Sequence, residues 1–163
     1  MTIHQKESVE YASAVVCIFS SISIGISSVT LDELIRSTTA DKHRISNIPN
    51  DEQIRNLQYG VDMVLQPLRN IYKKPIIVTS GFRCAALNKL VGGVANSYHL
   101  QGNAADIRVH SQNEAKELFD ILKTIPSVDV ALFEHSTTSC WLHVQWNMQR
   151  TPRHHFNFNY IAR

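Results

Sequence analysis

The apolar positions of this chain fall into short runs whose period changes from one run to the next. From Asp51 to Tyr72 they stand at Ile54, Leu57, Val61, Val64, Leu65 and Leu68. Steps of three and four put them on one stripe, which predicts a helix. Pro67 has no N–H to give and should bend or interrupt that helix near its end. A second helix is predicted from Ser111 to Lys123, where Ala115, Leu118, Phe119 and Leu122 share a face. Thr30–Glu33 and Ser111–Glu114 read as capping boxes, the first opening a short helix through Arg36. Another short helix is expected from Cys84 to Val91, ended by Gly92 and Gly93.

Pro75–Thr79 is short, β-branched and bounded by Pro and Gly, which predicts a buried strand. Asp106–His110 alternates and predicts a second. Val128–Phe133 and Trp141–Trp146 predict two more, and if these pair as a hairpin, residues 135–140 form its turn. Residues 38–50 are polar, contain Pro49 and read as a loop. The segment from Gln149 to the end is polar, basic and aromatic, and reads as a solvated tail. Helices and strands intermix without regular βαβ alternation. The fold class is therefore α+β, with a small antiparallel sheet flanked by helices.

Composition narrows the function classes. A chain of 163 residues fits one domain, and no repeat or linker divides it. The division expected is an N-terminal extension over 1–29, a domain over 30–148 and a tail over 149–163. A hydrophobic fraction of 44% argues against a disordered, collagenous or coiled-coil chain. Sixteen Lys and Arg against fourteen Asp and Glu give a net charge of +2, too little to announce a nucleic-acid partner. No apolar run reaches the ~20 residues that span a bilayer. The most apolar stretch, Ala12–Val29, reads either as an extension packed on the domain or as the apolar part of an export signal. Glu7 and Glu10 weaken the positive leader that a signal needs. Cys17, Cys84 and Cys140 are too scattered for a disulfide scaffold and form no CxxC; free thiols are expected, with one bridge left open.

The histidines carry more information. His99 precedes Asp106 by seven residues, with Gly102, Ala104 and Ala105 between them. On one helix that spacing would share a face. The glycine and the strand signal favour instead a loop running into a strand, with Gly102 turning the chain. His143 lies in the apolar run Trp141–Trp146 and offers a third ligand. Two neutral imidazoles and a carboxylate would leave zinc with a residual charge of +1 and a fourth position open. Each histidine taken alone has an ordinary reading, as a core or surface residue.

A resemblance joins these residues. Ser97–Asp106 matches the pattern S-x-H-x-x-G-x-A-x-D in full, and Trp141–Val144 reads W-x-H-V. Leu31–Ser37, Leu65–Arg69 (LQPLR), Ser80–Cys84 (SGFRC), Leu87–Lys89 and Val91–Gly93 supply further blocks. Across roughly residues 30–146 the chain resembles the zinc D-Ala-D-Ala carboxypeptidases and murein peptidases, particularly their small single-domain bacterial and phage branch. The resemblance implies a D-Ala-D-Ala peptidase (hedgehog-like) fold with one catalytic Zn2+ held by His99, Asp106 and His143. It implies Arg83 as the cation that meets a substrate carbonyl or carboxylate. Beside it, Ser97 reads as a support for the His99 loop or for the substrate, and Tyr98 as a wall of a peptide groove or a core residue. The implied reaction is hydrolysis of amide bonds in peptidoglycan stem peptides, by a carboxypeptidase or an endopeptidase. The compartment would be the cell envelope if the chain is exported, or the cytoplasm if it is of phage origin.

The general base departs from the pattern. Some relatives carry a carboxylate three residues before the last histidine, where this chain has Cys140. Glu134, at the end of the preceding strand, is the expected substitute, with His135 a weaker competitor. Cys140 could instead lie near the metal or pair with Cys84. The departure keeps a second reading in play, a zinc-containing module that binds cell-wall peptide or protein without catalysis.

Overall fold

The computed structural model describes residues 27–136 and 138–159, so most of the apolar N-terminal stretch, with Cys17, lies outside the described residues. The chain runs α1 (Leu31–Ile35), α2 (Thr38–Lys42), α3 (Asp51–Gly60), a π-helical turn (Val61–Leu65), α4 (Gln66–Tyr72) and β1 (Ile77–Ser80). It continues through α5 (Ala85–Leu90), a 3-10 turn (Tyr98–Gln101), β2 (Ala104–Val109), α6 (Gln112–Leu122), β3 (Val130–His135), β4 (Cys140–Gln145) and β5 (His155–Asn157). The strands form one sheet in the order β1-β2-β4-β3-β5. The first four are antiparallel and β5 alone runs parallel, beside β3. The α+β class with helices flanking a small sheet is what the structure shows.

Local chemistry explains most elements. Thr30 and Glu33 cap α1 reciprocally: the Glu33 N–H donates to Thr30 Oγ1 at 3.3 Å, and the Thr30 N–H to Glu33 Oε1 at 3.1 Å. The stripe on α3 and α4 is buried at Leu57, Val61, Val64, Leu65 and Leu68; Ile54, assigned to it from spacing, is exposed. Pro67 does interrupt the helix, but by widening it. The turn before it is π-helical, with the Gln66 N–H reaching Val61 O, and the helix resumes with Pro67 in its first turn. There the missing N–H costs no internal bond. At Ser111 only half the expected box forms. The Ser111 hydroxyl accepts from the Glu114 N–H, while the Glu114 carboxylate accepts from the His110 N–H at 2.7 Å and the Tyr72 hydroxyl at 3.1 Å.

Three sequence expectations are corrected. Residues 38–42 are helical, because Ser37 accepts from the Ala40 N–H and Ala40 is buried. The strand at Pro75–Thr79 is an edge strand with Ile77 exposed, not a buried one. The segment after 148 is not simply solvated: β5 joins the sheet, and Phe156 and Phe158 pack edge-on against buried Phe119.

That last segment is held electrostatically. Asp129 is wholly buried and accepts from Arg150 at 2.6 and 2.8 Å and from Arg153 at 2.7 Å. Burial pushes the Asp129 carboxyl up, but the two guanidiniums outweigh it and hold it down at about 2, against an ordinary 3.8. A carboxyl depressed in the folded state stabilises the fold above its unfolded pKa and loses that contribution as pH falls. Asp129→Asn is thus expected to cost about 1–3 kcal/mol near neutrality. The gap to wild type should be complete above pH 3.8 and close as pH falls through about 2. Thermal melts of both proteins across that range measure it.

Candidate metal centre and its cleft

One face of the sheet is covered by helices; the other carries the chemistry. Side chains alternate along a strand, and partners across an antiparallel pair share a face. Asp106 of β2 stands opposite His143 of β4, which stands opposite Leu132 of β3. One row further lie Arg108, Trp141 and Glu134, and one row back Ala104, Gln145 and Val130. Ile107, Leu142 and Phe133 point the other way, into the core.

His99 reaches this face from the 3-10 turn. Ser97 starts the turn by accepting from the His99 N–H at 3.3 Å. Gly102 ends it with φ of 72°, and a side chain there would press on the Gln53 carbonyl oxygen at 2.7 Å. The turn needs glycine on both counts. His99 Nδ1 donates to the Gly81 carbonyl at 2.6 Å, which leaves Nε2 facing Asp106 Oδ1 at 3.3 Å. His143 Nδ1 lies 2.8 Å from the same oxygen, and the two rings have centroids 5.1 Å apart. One ligand atom from each of His99, Asp106 and His143 lies within 4.8 Å of the others. The loop-then-strand expectation for this segment holds.

Arg83 closes the far side of Asp106. Its Nη2 donates to Asp106 Oδ2 at 2.6 Å and its Nε to Ser80 Oγ at 2.8 Å. Burial alone would raise the Asp106 carboxyl; the imidazoles of His99 and His143 outweigh it and hold the group well below the usual carboxylate range. Glu134, half-buried, accepts from the Trp141 indole N–H at 2.8 Å. Burial is the largest influence on this carboxyl and raises it above the ordinary value, against the opposing pull of His143. The two acidic groups on one face are driven in opposite directions.

The other candidates stand further out. Tyr98 lines a cavity of about 520 Å³ with Gln145 and Arg153, beyond the His143 row, and its ring lies under the Arg153 guanidinium. A second cavity of about 580 Å³ lies on the opposite side, along Arg108 and Trp141. Cys140 and Cys84 are both free thiols. Cys140 Sγ contacts the Val109 carbonyl at 3.4 Å and is not one of the grouped donors, so neither the bridge nor a thiol at the metal is found. His135 also lies outside that donor group.

Three supports escaped the sequence reading: the Gly81 carbonyl, the Ser80 hydroxyl and Gln145, whose Nε2 is 2.9 Å from His143 Nε2. Gln145 was discoverable, since it follows His143 by two residues and must share its face. Gly81 acts through its backbone, which no side-chain pattern announces. Its glycine is required by the Leu34 backbone, whose Cα would lie 2.7 Å from an added side chain.

Two imidazoles and one carboxylate, grouped on one sheet face, are donors that fit one zinc ion, which takes a fourth ligand besides. Fold and donor set together define a single-metal centre beside an open cleft. The chain belongs to the Peptidase M15 family, whose model matches residues 27–145. Over 49 residues, 29% of this chain, it is 47% identical to the zinc D-Ala-D-Ala carboxypeptidase of Streptomyces albus G. That match spans 19% of the relative's length. Among the described residues, no helix is long and apolar enough to cross a membrane.

Proposed function

We propose that this protein is a zinc peptidase that hydrolyses amide bonds in peptidoglycan stem peptides, with His99, Asp106 and His143 as the metal ligands. The observation that carries the reading is the convergence of those three donors between Arg83 and Glu134 on one face of the sheet. When bound, zinc supplies Lewis acidity, polarising an amide carbonyl and making water a stronger acid.

The protein's own groups do the rest. His99 is held in one tautomer by the Gly81 carbonyl, so its Nε2 lone pair faces the ligand cluster. Glu134 takes the proton released as water attacks the carbonyl carbon and returns it to the leaving nitrogen, the role a raised carboxyl suits. Arg83 has five N–H donors and gives two of them to Ser80 and Asp106. The others are available to the oxyanion that develops on the carbonyl, where one donor is worth about 10²–10³ in rate. Ser97 supports the His99 turn, and Tyr98 walls one side of the peptide groove. The working unit is the domain from residue 30 to 148, braced by the segment after it.

Mass spectrometry of muropeptides incubated with the zinc-loaded protein tests this. The expected result is a chelator-sensitive product set: release of D-alanine marks a carboxypeptidase, and new internal fragments mark an endopeptidase. Bound zinc with no turnover on any stem peptide would overturn hydrolysis and leave a binding module.

A further inference from the structure

The cavity of about 580 Å³ beside the metal row is not used by the hydrolytic step. It is lined by Thr79, Arg108, His110, Ser139 and Trp141, and it opens directly onto Asp106. Arg108 is exposed and makes no ion pair among the described residues, unlike Arg83, Arg150 and Arg153, each of which holds a carboxylate. The one carboxylate lining the cavity, among the described residues, is Asp106. Its oxygens are already taken up by Arg83, His99 and His143. The cavity therefore presents a guanidinium with free donors, the Ser139 hydroxyl, an indole wall, and no uncommitted negative charge.

Position gives the cavity its meaning. Arg108 follows Asp106 by two residues on the same face, about 7 Å along the strand. An extended peptide rises about 3.3 Å per residue, so a group carried one or two residues from the scissile amide would lie beside Arg108. Planar guanidinium suits a planar carboxylate, with two parallel hydrogen bonds. We infer that Arg108 is a specificity-determining residue, and that this cavity receives a carboxylate borne by the substrate next to the bond that is cut. The inference rests on the hydrolase reading and adds to it the charge of the preferred peptide.

Matched stem-type peptides test it, each made with a free carboxylate or the corresponding carboxamide beside the scissile bond. One pair carries the group on the acyl side and the other on the leaving side. Zinc-loaded wild type should prefer the carboxylate member of one pair by about 10- to 100-fold in kcat/KM, mostly through KM. Arg108→Gln should bring that ratio close to one, and Arg108→Lys should restore part of it. An unchanged ratio in Arg108→Gln, or no preference in wild type, would overturn the inference. Failure of wild type to cleave any member would instead strike the hydrolase reading. Indole fluorescence then still decides the matter: Trp146 is wholly buried, so a ligand in the cavity is reported by Trp141. Titration should show tighter binding of the carboxylate peptide, lost in Arg108→Gln; equal binding of both members would count against Arg108.

Discussion

Asp106→Asn is expected to lose bound zinc and hydrolysis together while keeping the fold. Asn has the same shape but a single oxygen, so it can accept on the Arg83 side or on the His143 side and turns its NH2 to the other; the side-chain hydrogen bonds around the position survive in part. What disappears is the one negative charge among the three ligands. The site would then offer two neutral imidazoles and an amide to a divalent ion, beside the Arg83 guanidinium 2.6 Å from the Asp106 carboxylate. Partners that merely orient metal ligands are worth about 10- to 100-fold in affinity. Removal of a charged ligand should exceed that. Elemental analysis after gel filtration, with chelator competition, reads the affinity, and thermal melting of the metal-free proteins reads the fold. A variant that retained zinc at wild-type affinity would remove Asp106 from the ligand set.

Glu134→Gln is expected to keep zinc and lose about 10²–10⁴ in kcat, the usual contribution of a positioned proton carrier. The Gln side chain still accepts from Trp141, so substrate binding should change far less than turnover. The pH profile gives an independent reading. Wild-type kcat/KM should fall on the acid side as Glu134 is protonated, and the variant should lack that limb. Stability should move the other way. A carboxyl raised in the folded state favours folding below its unfolded pKa, and this benefit is lost as pH rises through the folded value. At neutral pH the ionised Glu134 therefore works against the fold, and Glu134→Gln should melt at or above wild type. A variant with full turnover would pass the proton-carrying role to another group.

Both results bear on the departure at Cys140. The place where some relatives carry a carboxylate is occupied here by a thiol turned to the Val109 carbonyl. Glu134 comes from the neighbouring strand, opposite Trp141 and one row from His143. Cys140 pairs with His135 and packs toward the core side of the sheet, so Glu134 does not take its place in space but stands on the other face, with Trp141 and His143.

The sequence by itself determined the elements whose causes are local. Thr30 and Glu33 cap a helix wherever that helix sits; steps of three and four mark a buried stripe; Gly102 signals a turn before a strand. The ten residues from Ser97 to Asp106 also hold two of the three donors proposed for the metal, His99 and Asp106. Only the tertiary structure decided which face of β4 His143 presents to Asp106, since one residue of register slip would send it into the core. It decided too that Arg83 is tied to Asp106, that the last segment becomes β5 under Asp129, and that Arg108 stands beside a cavity with no ion pair among the described residues. Each of these depends on where distant segments meet, and the energy that brings them together comes from a buried core to which no single stretch contributes enough to be read alone.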